Sequence, residues 1–527
     1  ILLNTGGQSE PAPEEEKTPE EIAQEEEEER QRLEEERRLE EERVLEERRL
    51  RDEALKEELG QFYVPLPPLE QEENPSVQAK GIYMTGNIAG LERRFLELLD
   101  MIDDTELNAV VMDVKNDHGL MSYNSEIEIV QEVKGNRSTP VKDIEAIITE
   151  LKERDIYPIA RIVVFRDPNL PEHKPQWSIQ KNGGGVWRDN KDYGWVNPYD
   201  KNVWDYNIAI AKEAALMGFR EIQFDYVRFP ENARRVDREA YYPGQGDIAK
   251  DEAIEAFLAY ARDQLEEYNI HLAADTFGVI ATSWGDSDQI GQTWEKVAPL
   301  VEIQSPMVYP SHYGSGYFGL SVPDANPSET IRRAMTDAVK RNAPIENPGT
   351  IRPWLQSFTA SWVRGNIRYG AKEVRAQIDA ALELGIEEFL IWNATNRYIK
   401  DAFLTADEAR SREEKMRQER KEKGLDVLSK TSQEALEEYL ESVRKRKWRE
   451  ALVLQATDFS MDHIEFKNWF DSWENRLSEY EVKPESMSGS KTVYQVDLVF
   501  TVQGEALDLK NQEFEVYEEN RIWRVKP

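Results

Sequence analysis

Between Lys80 and about residue 405, short apolar, β-favouring runs alternate with amphipathic stretches of helical period, and this alternation limits the fold more than any other feature of the chain. A connection long enough to hold a helix lets each new strand start from the same end as the last, so the strands pair in parallel. The expected strands are Gly81–Thr85, Ala109–Lys115, Pro158–Phe165, Glu221–Phe229, His271–Phe277, Val301–Tyr309, Ile351–Phe358 and Glu388–Asn393. Helical patterns lie between them at Leu91–Ile102, Val141–Arg154, Val203–Met217, Glu252–Tyr268, Gln292–Val297, Ser328–Asn342 and Lys372–Leu384, and a charged one follows at Ala406–Lys423. About eight βα units in about 320 residues is the size of an α/β (β/α)8 TIM barrel with insertions, here residues 80–403. A doubly wound open sheet would want a glycine-rich phosphate turn after an early strand. The first strand runs instead into Thr85-Gly86-Asn87, so the barrel is preferred.

The flanks are of other kinds. Residues 1–20 are polar and rich in Glu, Pro and Gly beyond the first three, and are expected to be disordered. Residues 21–60 are almost entirely Glu, Arg and Leu, with Glu34 and Arg38, Glu35 and Arg38, and Glu40 and Arg43 spaced for pairing along a helix. Leu33, Leu39 and Leu45 recur every six residues, which does not hold a coiled-coil seam, so a lone stiff helix is preferred to a dimerising one. Residues 61–79, with Pro65, Pro67, Pro68 and Pro75, read as an extended linker, and residues 404–429 as a helical linker with a charged hinge near Gly424. A small α+β domain is expected over 430–527, with helices at Ser432–Arg444 and Trp448–Leu454 and strands at Arg476–Val482, Thr492–Val502, Gln512–Tyr517 and Arg521–Val525. Helices followed by an antiparallel sheet that ends in Asn520-Arg521-Ile522-Trp523-Arg524-Val525 resemble the NTF2-like cone fold.

Composition excludes several kinds of function. With 103 acidic and 67 basic residues the net charge is -36, which argues against nucleic acid or an anionic membrane surface as partner. The absence of cysteine excludes disulfides, thiolate metal sites and cysteine nucleophiles. The five histidines are scattered without His-x-His or His-Glu-x-x-His spacing, so neither a zinc site nor a cofactor is expected. No run reaches the ~20 apolar residues of a membrane span. The chain opens on Ile1-Leu2-Leu3 without an initiator Met. An apolar stub before a polar stretch is where removed signal or anchor segments end, and an arbitrary start is the equal alternative.

Catalytic groups in a barrel of this type sit at the C-terminal ends of its strands. Those ends offer Asp113, Lys115 and Asp117; Arg161 and Asp167; Asp225 and Arg228; Asp275; Met307, Tyr309, His312 and Tyr313; Trp354 and Gln356; and Trp392, Asn393 and Asn396. Two long loops, about 166–202 and 231–250, lie on the same face and are expected to form lids or binding walls. The first holds Trp177, Trp187, Trp195 and a Gly183-Gly184-Gly185 run that lacks the Gly-Lys-Ser/Thr ending of a phosphate loop. Carboxylates, aromatics and amides converging on one face suit a sugar, whose apolar ring face stacks on aromatic side chains while its hydroxyls take hydrogen bonds. Glycoside hydrolysis needs two carboxyl groups flanking one bond, and Asp225 and Asp275 on adjacent strands are the natural pair. Arg228 stands near Asp225 in sequence as a counter-charge. Asp275 follows Ala273-Ala274 in a drier setting that suits a proton donor. A strand-end aspartate also serves as a helix cap or an arginine's partner, and Asp113 with Lys115 reads equally as an internal ion pair or a substrate clamp.

The runs Lys80-Gly81-Ile82-Tyr83-Met84-Thr85, Ala109-Val110-Val111-Met112-Asp113-Val114-Lys115, Arg161-Ile162-Val163-Val164-Phe165-Arg166-Asp167 and Phe224-Asp225-Tyr226-Val227-Arg228-Phe229-Pro230 resemble the glycosyl-hydrolase-like domain of bacterial cell-surface proteins. The resemblance continues through Ala274-Asp275-Thr276-Phe277-Gly278, Ser305-Pro306-Met307-Val308-Tyr309-Pro310-Ser311-His312-Tyr313 and Ile391-Trp392-Asn393-Ala394. It implies a TIM barrel related to α-glycosidase-type hydrolases, with a nucleophile after the fourth strand, at Asp225. Related families place the acid after the fifth or sixth strand, and Asp275 fits the fifth.

The expected protein is thus a secreted or surface-tethered, retaining glycoside hydrolase acting on an envelope or extracellular polysaccharide. Asp113, Lys115, Arg161, Arg228, Tyr309, His312, Trp354, Gln356, Trp392 and Asn393 would hold the substrate. The alternatives are a non-catalytic carbohydrate-binding or structural surface protein, and a ligand held by the C-terminal domain instead.

Overall fold

The computed structural model describes residues 18–457, 476–483, 486–488, 491–502 and 505–527. The apolar stub and nearly all of the stretch expected to be disordered lie outside the described residues. The chain divides into two compact units, residues 1–65 and 66–527. Among the described residues no helix is long and apolar enough to cross a membrane.

The first unit is dominated by one helix, α1 (Pro19–Leu59), of 41 residues, about 60 Å long at ~1.5 Å per residue. Arginines bind glutamates on both sides of their own turn: Arg49 contacts Glu46 at 2.7 Å and Glu53 at 2.5 Å, and Arg43 pairs with Glu40 and Glu47. Arg38 reaches Glu35 and Glu42, each at 3.8 Å, in place of the expected Glu34. Leu33, Leu39, Leu45 and Leu50 all remain exposed. Each exposed ion pair is weak by itself, so it is their repetition that supports the helix.

The second unit contains the barrel. Its strands are β1 (Lys80–Met84), β2 (Ala109–Lys115), β3 (Tyr157–Val163), β4 (Glu221–Asp225), β5 (His271–Phe277), β6 (Ile303–Met307), β7 (Thr350–Ile351), β8 (Trp354–Gln356) and β9 (Phe389–Trp392). Every pairing among them is parallel. The ring closes where β9 pairs with β1 and where Trp354 of β8 lies opposite Met307 of β6. β7 and β8 are halves of a single stave, interrupted at Arg352-Pro353 because proline brings no N–H to the ladder. The outer layer is α2 (Glu92–Asp103), α3 (Ile144–Glu153), α4 (Lys201–Leu216), α5 (Lys250–Leu265), α6 (Pro327–Asn342) and α7 (Ala371–Leu382). α2 shows why they lie there: Phe95, Leu98, Leu99 and Ile102 recur at helical spacing and are buried, while Glu92 and Arg93 face water. After β5 the helix shrinks to a single turn, Trp294–Val297.

Side chains fill the barrel. Ala109, Val111, Tyr157, Ile159, Tyr309, Trp354 and Leu390 form one buried cluster. Gly81 is required beside it, since a Cβ there would come within 2.8 Å of Leu390 Cδ2. At the N-terminal end of the strands Arg352 donates to both carboxylate oxygens of Glu221 (2.7 and 2.9 Å) and to Glu388 (2.7 Å), closing the floor. The expected linker does not hang free below it. Asn74 donates to the carbonyls of Arg220 and Asn269 and accepts from Arg220 Nε, so residues 66–79 are strapped across the barrel's base.

The charged segment after the barrel is also docked rather than a hinge. α8 (Ala406–Lys423) is held by a Thr405–Glu408 capping box, by Arg417 to Glu387 at 3.1 Å and by an ion pair from Lys80 to Glu413. Gly424, with φ +62°, terminates it, and Asp426 then accepts from the backbone N–H groups of Leu428, Lys430 and Trp523. Beyond lie α9 (Ser432–Arg444) and α10 (Trp448–Leu454), as expected. An antiparallel sheet follows, made of β10 (Arg476–Val482), β11 (Ser486–Ser488), β12 (Lys491–Val502), β13 (Glu505–Glu519) and β14 (Ile522–Lys526). Leu436, Leu440, Tyr494, Val496, Phe514, Val516 and Val525 pack helices onto sheet. Asn520, in the turn before β14, donates to the carbonyls of Ala343 (2.9 Å) and Ile345 (2.8 Å), joining this sheet to the barrel. Asn520→Ala is expected to cost about 1–2 kcal/mol, read as a lower urea midpoint.

Candidate active site

The strand expected to run to Phe229 stops at Asp225. Tyr226 adopts a left-handed backbone (φ +49°), and its N–H donates to Asp225 Oδ1 at 2.6 Å. This turn puts the Asp225 carboxyl at the mouth of the barrel. Its other oxygen, Oδ2, accepts from Arg161 Nε (2.9 Å) and Nη2 (2.5 Å), reached from the neighbouring strand β3. Arg161 is the hub of the site. It also donates to Asp113 Oδ1 (2.6 Å) and Asp117 Oδ1 (3.0 Å), and its guanidinium lies 5.5 and 5.4 Å from the ring centres of Tyr83 and Trp392. Those two rings stack on each other at 4.1 Å.

One buried cation thus faces three carboxyl groups, and two of them are pushed in opposite directions. Burial pushes the Asp113 carboxyl up against the pull of Arg161, and Tyr83 Oη donates to it at 2.6 Å. Burial acts upward on Asp117 too, but the charge and hydrogen bond of Arg161 outweigh it and leave this group below the usual carboxylate range.

Asp275 sits in a different setting. Phe224 pairs with Ala274, so Asp225 and Asp275 follow at one level on adjacent parallel strands, which lie ~4.8 Å apart. Asp275 is only 1% exposed, and Trp354 Nε1 donates to its Oδ1 at 2.7 Å. Burial first, and the charge of Asp225 second, push its carboxyl well above the ordinary range, against the Trp354 hydrogen bond. The setting favours the protonated form of Asp275.

Both aspartates open into one cavity of about 910 Å³, together with Arg161, Arg228, Tyr309, His312, Trp354 and Trp392 from the sequence reading. Asp117 and Met307, also foreseen at strand ends, line it too, and Tyr226 and Phe277 join them. Burial lowers the His312 imidazole below its ordinary value, and Ser311 Oγ lies 3.0 Å from its Nδ1. Tyr226 belongs to the site without having been singled out. Only the breakdown of strand pattern after Asp225 could have signalled it.

Four expected binding residues do not line the cavity. Asp113 lies behind Arg161. Lys115 is wholly buried and paired with Asp167 at 2.9 Å, because a register shift between Asp113 and Lys115 interrupts the pairing of β2 with β3. Gln356 is occupied by Asp324, Phe358 and Ser311, and Asn393 donates to the carbonyls of Ser357 and Arg397. The role foreseen for Arg228 passes to Arg161. Arg228 donates to the carbonyl of Phe229 and to Glu231, and lies 4.4 Å from the Phe277 ring centre. Among the described residues no three acidic or histidine side chains are grouped as a metal site requires.

The two long loops are knitted together into a wall beside the cavity. Gln180–Lys181 pairs antiparallel with Ala240–Tyr241, Trp187 Nε1 donates to Glu239 at 3.1 Å, and Asn197 donates to the carbonyl of Pro243 at 2.7 Å. Trp177, Trp187 and Trp195 are buried, so they serve as the wall's own core.

Among solved structures, a hypothetical protein from Ruminiclostridium thermocellum is 38% identical where it aligns, covering 37% of this chain and 96% of its own (TM-score 0.34). The PgaB (BpsB) glycoside hydrolase domain from Bordetella bronchiseptica is 13% identical, covering 60% of this chain and 94% of its own (TM-score 0.44). The spore cortex-lytic enzyme SleL of Bacillus megaterium is 13% identical, with 64% and 75% covered (TM-score 0.37). No curated protein matches the chain. The family described as "Putative glycosyl hydrolase domain" matches residues 81–398. That match spans the barrel from Gly81 through β9 and more than half of the chain, and the protein belongs to this family of glycosyl-hydrolase-like domains.

Proposed function

We propose that the barrel hydrolyses glycosidic bonds of a polysaccharide with retention, using Asp225 as nucleophile and Asp275 as general acid and base. The observation that carries this reading is the contrast between two carboxyl groups at one level of adjacent strands: Asp225 faces the guanidinium of Arg161, and Asp275 is buried beside Trp354, in a setting that favours its protonated form. Retaining enzymes hold their carboxyl groups ~5–5.5 Å apart, a separation that neighbouring strands supply naturally.

In the first step Asp275 gives its proton to the glycosidic oxygen as that oxygen leaves the anomeric carbon, and Asp225 bonds to the same carbon, forming a glycosyl ester. In the second, the Asp275 carboxylate takes a proton from water, whose oxygen attacks the anomeric carbon and releases Asp225. The electrostatics fit this alternation. The charge of Asp225 is one of the forces that favour the protonated form of Asp275, and esterification removes that charge as Asp275 must turn from acid to base. Tyr309, His312 and Trp392 would contact the sugar.

Asp275→Asn is expected to lower kcat/KM by about 10²–10⁴-fold on unactivated glycosides, and by less on aryl glycosides whose leaving group needs no proton. Because burial raises the Asp275 pKa, the wild type is expected to lose activity on the alkaline side as the proton is removed, at a pH above the ordinary carboxylate range. The variant should lack this alkaline limb, and an unchanged limb would refute the assignment of Asp275. The reading as a whole is tested by incubating a polysaccharide panel with wild type and Asp225→Asn and following anomeric protons by NMR. A barrel that only binds glycans retains them in both proteins and releases product in neither. An acidic chain without cysteine, with a stiff charged helix ahead of the barrel, suits work at the cell surface on an envelope or extracellular polymer.

A further inference from the structure

A row of aromatic side chains leads out of the cavity along the loop after β8. Tyr309, in the cavity wall, lies edge-on to Phe358 at 5.9 Å, and Phe358 stacks with Trp362 at 6.0 Å and an interplanar angle of 21°. Phe358 also packs on the cluster containing Tyr309 and Trp354, and Trp354 is the residue bonded to Asp275. Trp362 is 67% exposed, more than any other exposed large apolar side chain among the described residues. Single apolar residues on a surface are ordinary. Trp362 differs in its placement, with its ring stacked against Phe358 and two ring-to-ring steps between it and the cavity.

The loop that carries it is firmly held. Asp324, itself buried, accepts from Gln356 Nε2 at 3.0 Å and from the Ile367 N–H at 3.4 Å, and its carbonyl accepts from Tyr369 Oη at 2.9 Å. Tyr369 N–H donates to Thr359 Oγ1 at 3.1 Å. A large aromatic presented on a loop tied down on both sides of it loses little freedom when a ligand settles on it. Core packing does not account for the residue, since most of its surface remains in water.

We infer that Trp362 is a stacking platform for a pyranose ring of the polymer outside the catalytic cavity, so that the site takes long glycan chains. This rests on the glycan-hydrolase reading given above. The apolar C–H face of a sugar ring lies flat on an indole, while its hydroxyls stay in water. The row from Tyr309 through Phe358 to Trp362 would then direct a chain whose scissile bond lies between Asp225 and Asp275.

The test uses the full chain carrying Asp225→Asn, so that bound polymer is not consumed, run by affinity electrophoresis through gels containing amylose, xylan, galactomannan or glycol chitin. At least one polymer should retard this protein. Adding Trp362→Ala should weaken that retardation about tenfold in apparent Kd, and Trp362→Phe should restore most of it. Equal retardation of the Trp362→Ala and parent proteins overturns the platform, as does failure of all four polymers to retard the parent. If the Trp362 contrast holds but wild type cleaves none of the bound polymer, the hydrolase reading falls and the platform stands. If wild type cleaves a polymer whose binding ignores Trp362, the reverse is true.

Discussion

Asp225→Asn should lower glycan hydrolysis by about four orders of magnitude or more, with affinity for the same glycan within severalfold of wild type. The substitution keeps the shape of the side chain, and its one carbonyl oxygen can still accept from Arg161 while the amide nitrogen, a donor only, gives up the bond from the Tyr226 N–H. What it loses is the negative oxygen that bonds to the anomeric carbon. A smaller variant, Asp225→Gly, opens space for an external nucleophile. Azide should partly restore turnover of an aryl glycoside and yield a glycosyl azide of inverted configuration. Loss of activity with azide rescue supports the nucleophile. Retained activity in Asp225→Asn would place the chemistry elsewhere in the barrel.

Arg161→Met is expected to be the most disruptive single change at the site. It leaves Asp113, Asp117 and Asp225 without their shared cation, and Arg161 itself is only 1% exposed. Removing one member of a buried ionic cluster costs about 3–5 kcal/mol, which should appear as a lower urea midpoint. The pH dependence gives a sign to check. With Arg161 gone the burial that already raises Asp113 is unopposed, so the variant's stability is expected to be best at low pH and to fall as pH rises through that raised value. In the wild type Asp117 titrates below its unfolded value, and its contribution is present at neutral pH and lost on acidification. The gap between the two proteins should therefore widen from acid to neutral pH. A gap independent of pH would mean that Arg161 acts only through packing.

The barrel was legible in the sequence because each stave announces itself locally, by an apolar run bounded by helical periodicity. Asp225 and Asp275 were legible for the same reason, as acids at the ends of two such runs. Contacts between strands were not. Arg228 looked like the partner of Asp225 because it is three residues away along the chain, whereas Arg161 arrives from the adjacent strand, and sequence distance says nothing of that neighbour. Lys115 looked like a site residue because strict alternation puts it on the face of Asp113, and a register shift with β3 breaks that alternation. Tyr226 illustrates a third limit. Nothing about a tyrosine favours a left-handed backbone, and the turn exists because the Asp225 carboxyl and the surrounding barrel hold it there. The seventh strand, expected to run unbroken over Ile351–Phe358, is split at Pro353, whose missing N–H is the physical cause.

The ion-paired floor formed by Arg352, Glu221 and Glu388 has a consequence for traffic. A barrel plugged at one end is a cul-de-sac, so a polymer cannot thread through it and must lie across the opening. Reactant and product then share a single doorway. A fragment still resting between Tyr309 and Trp392 bars the next chain from entering, and inhibition by short cleavage products is the kinetic signature to expect.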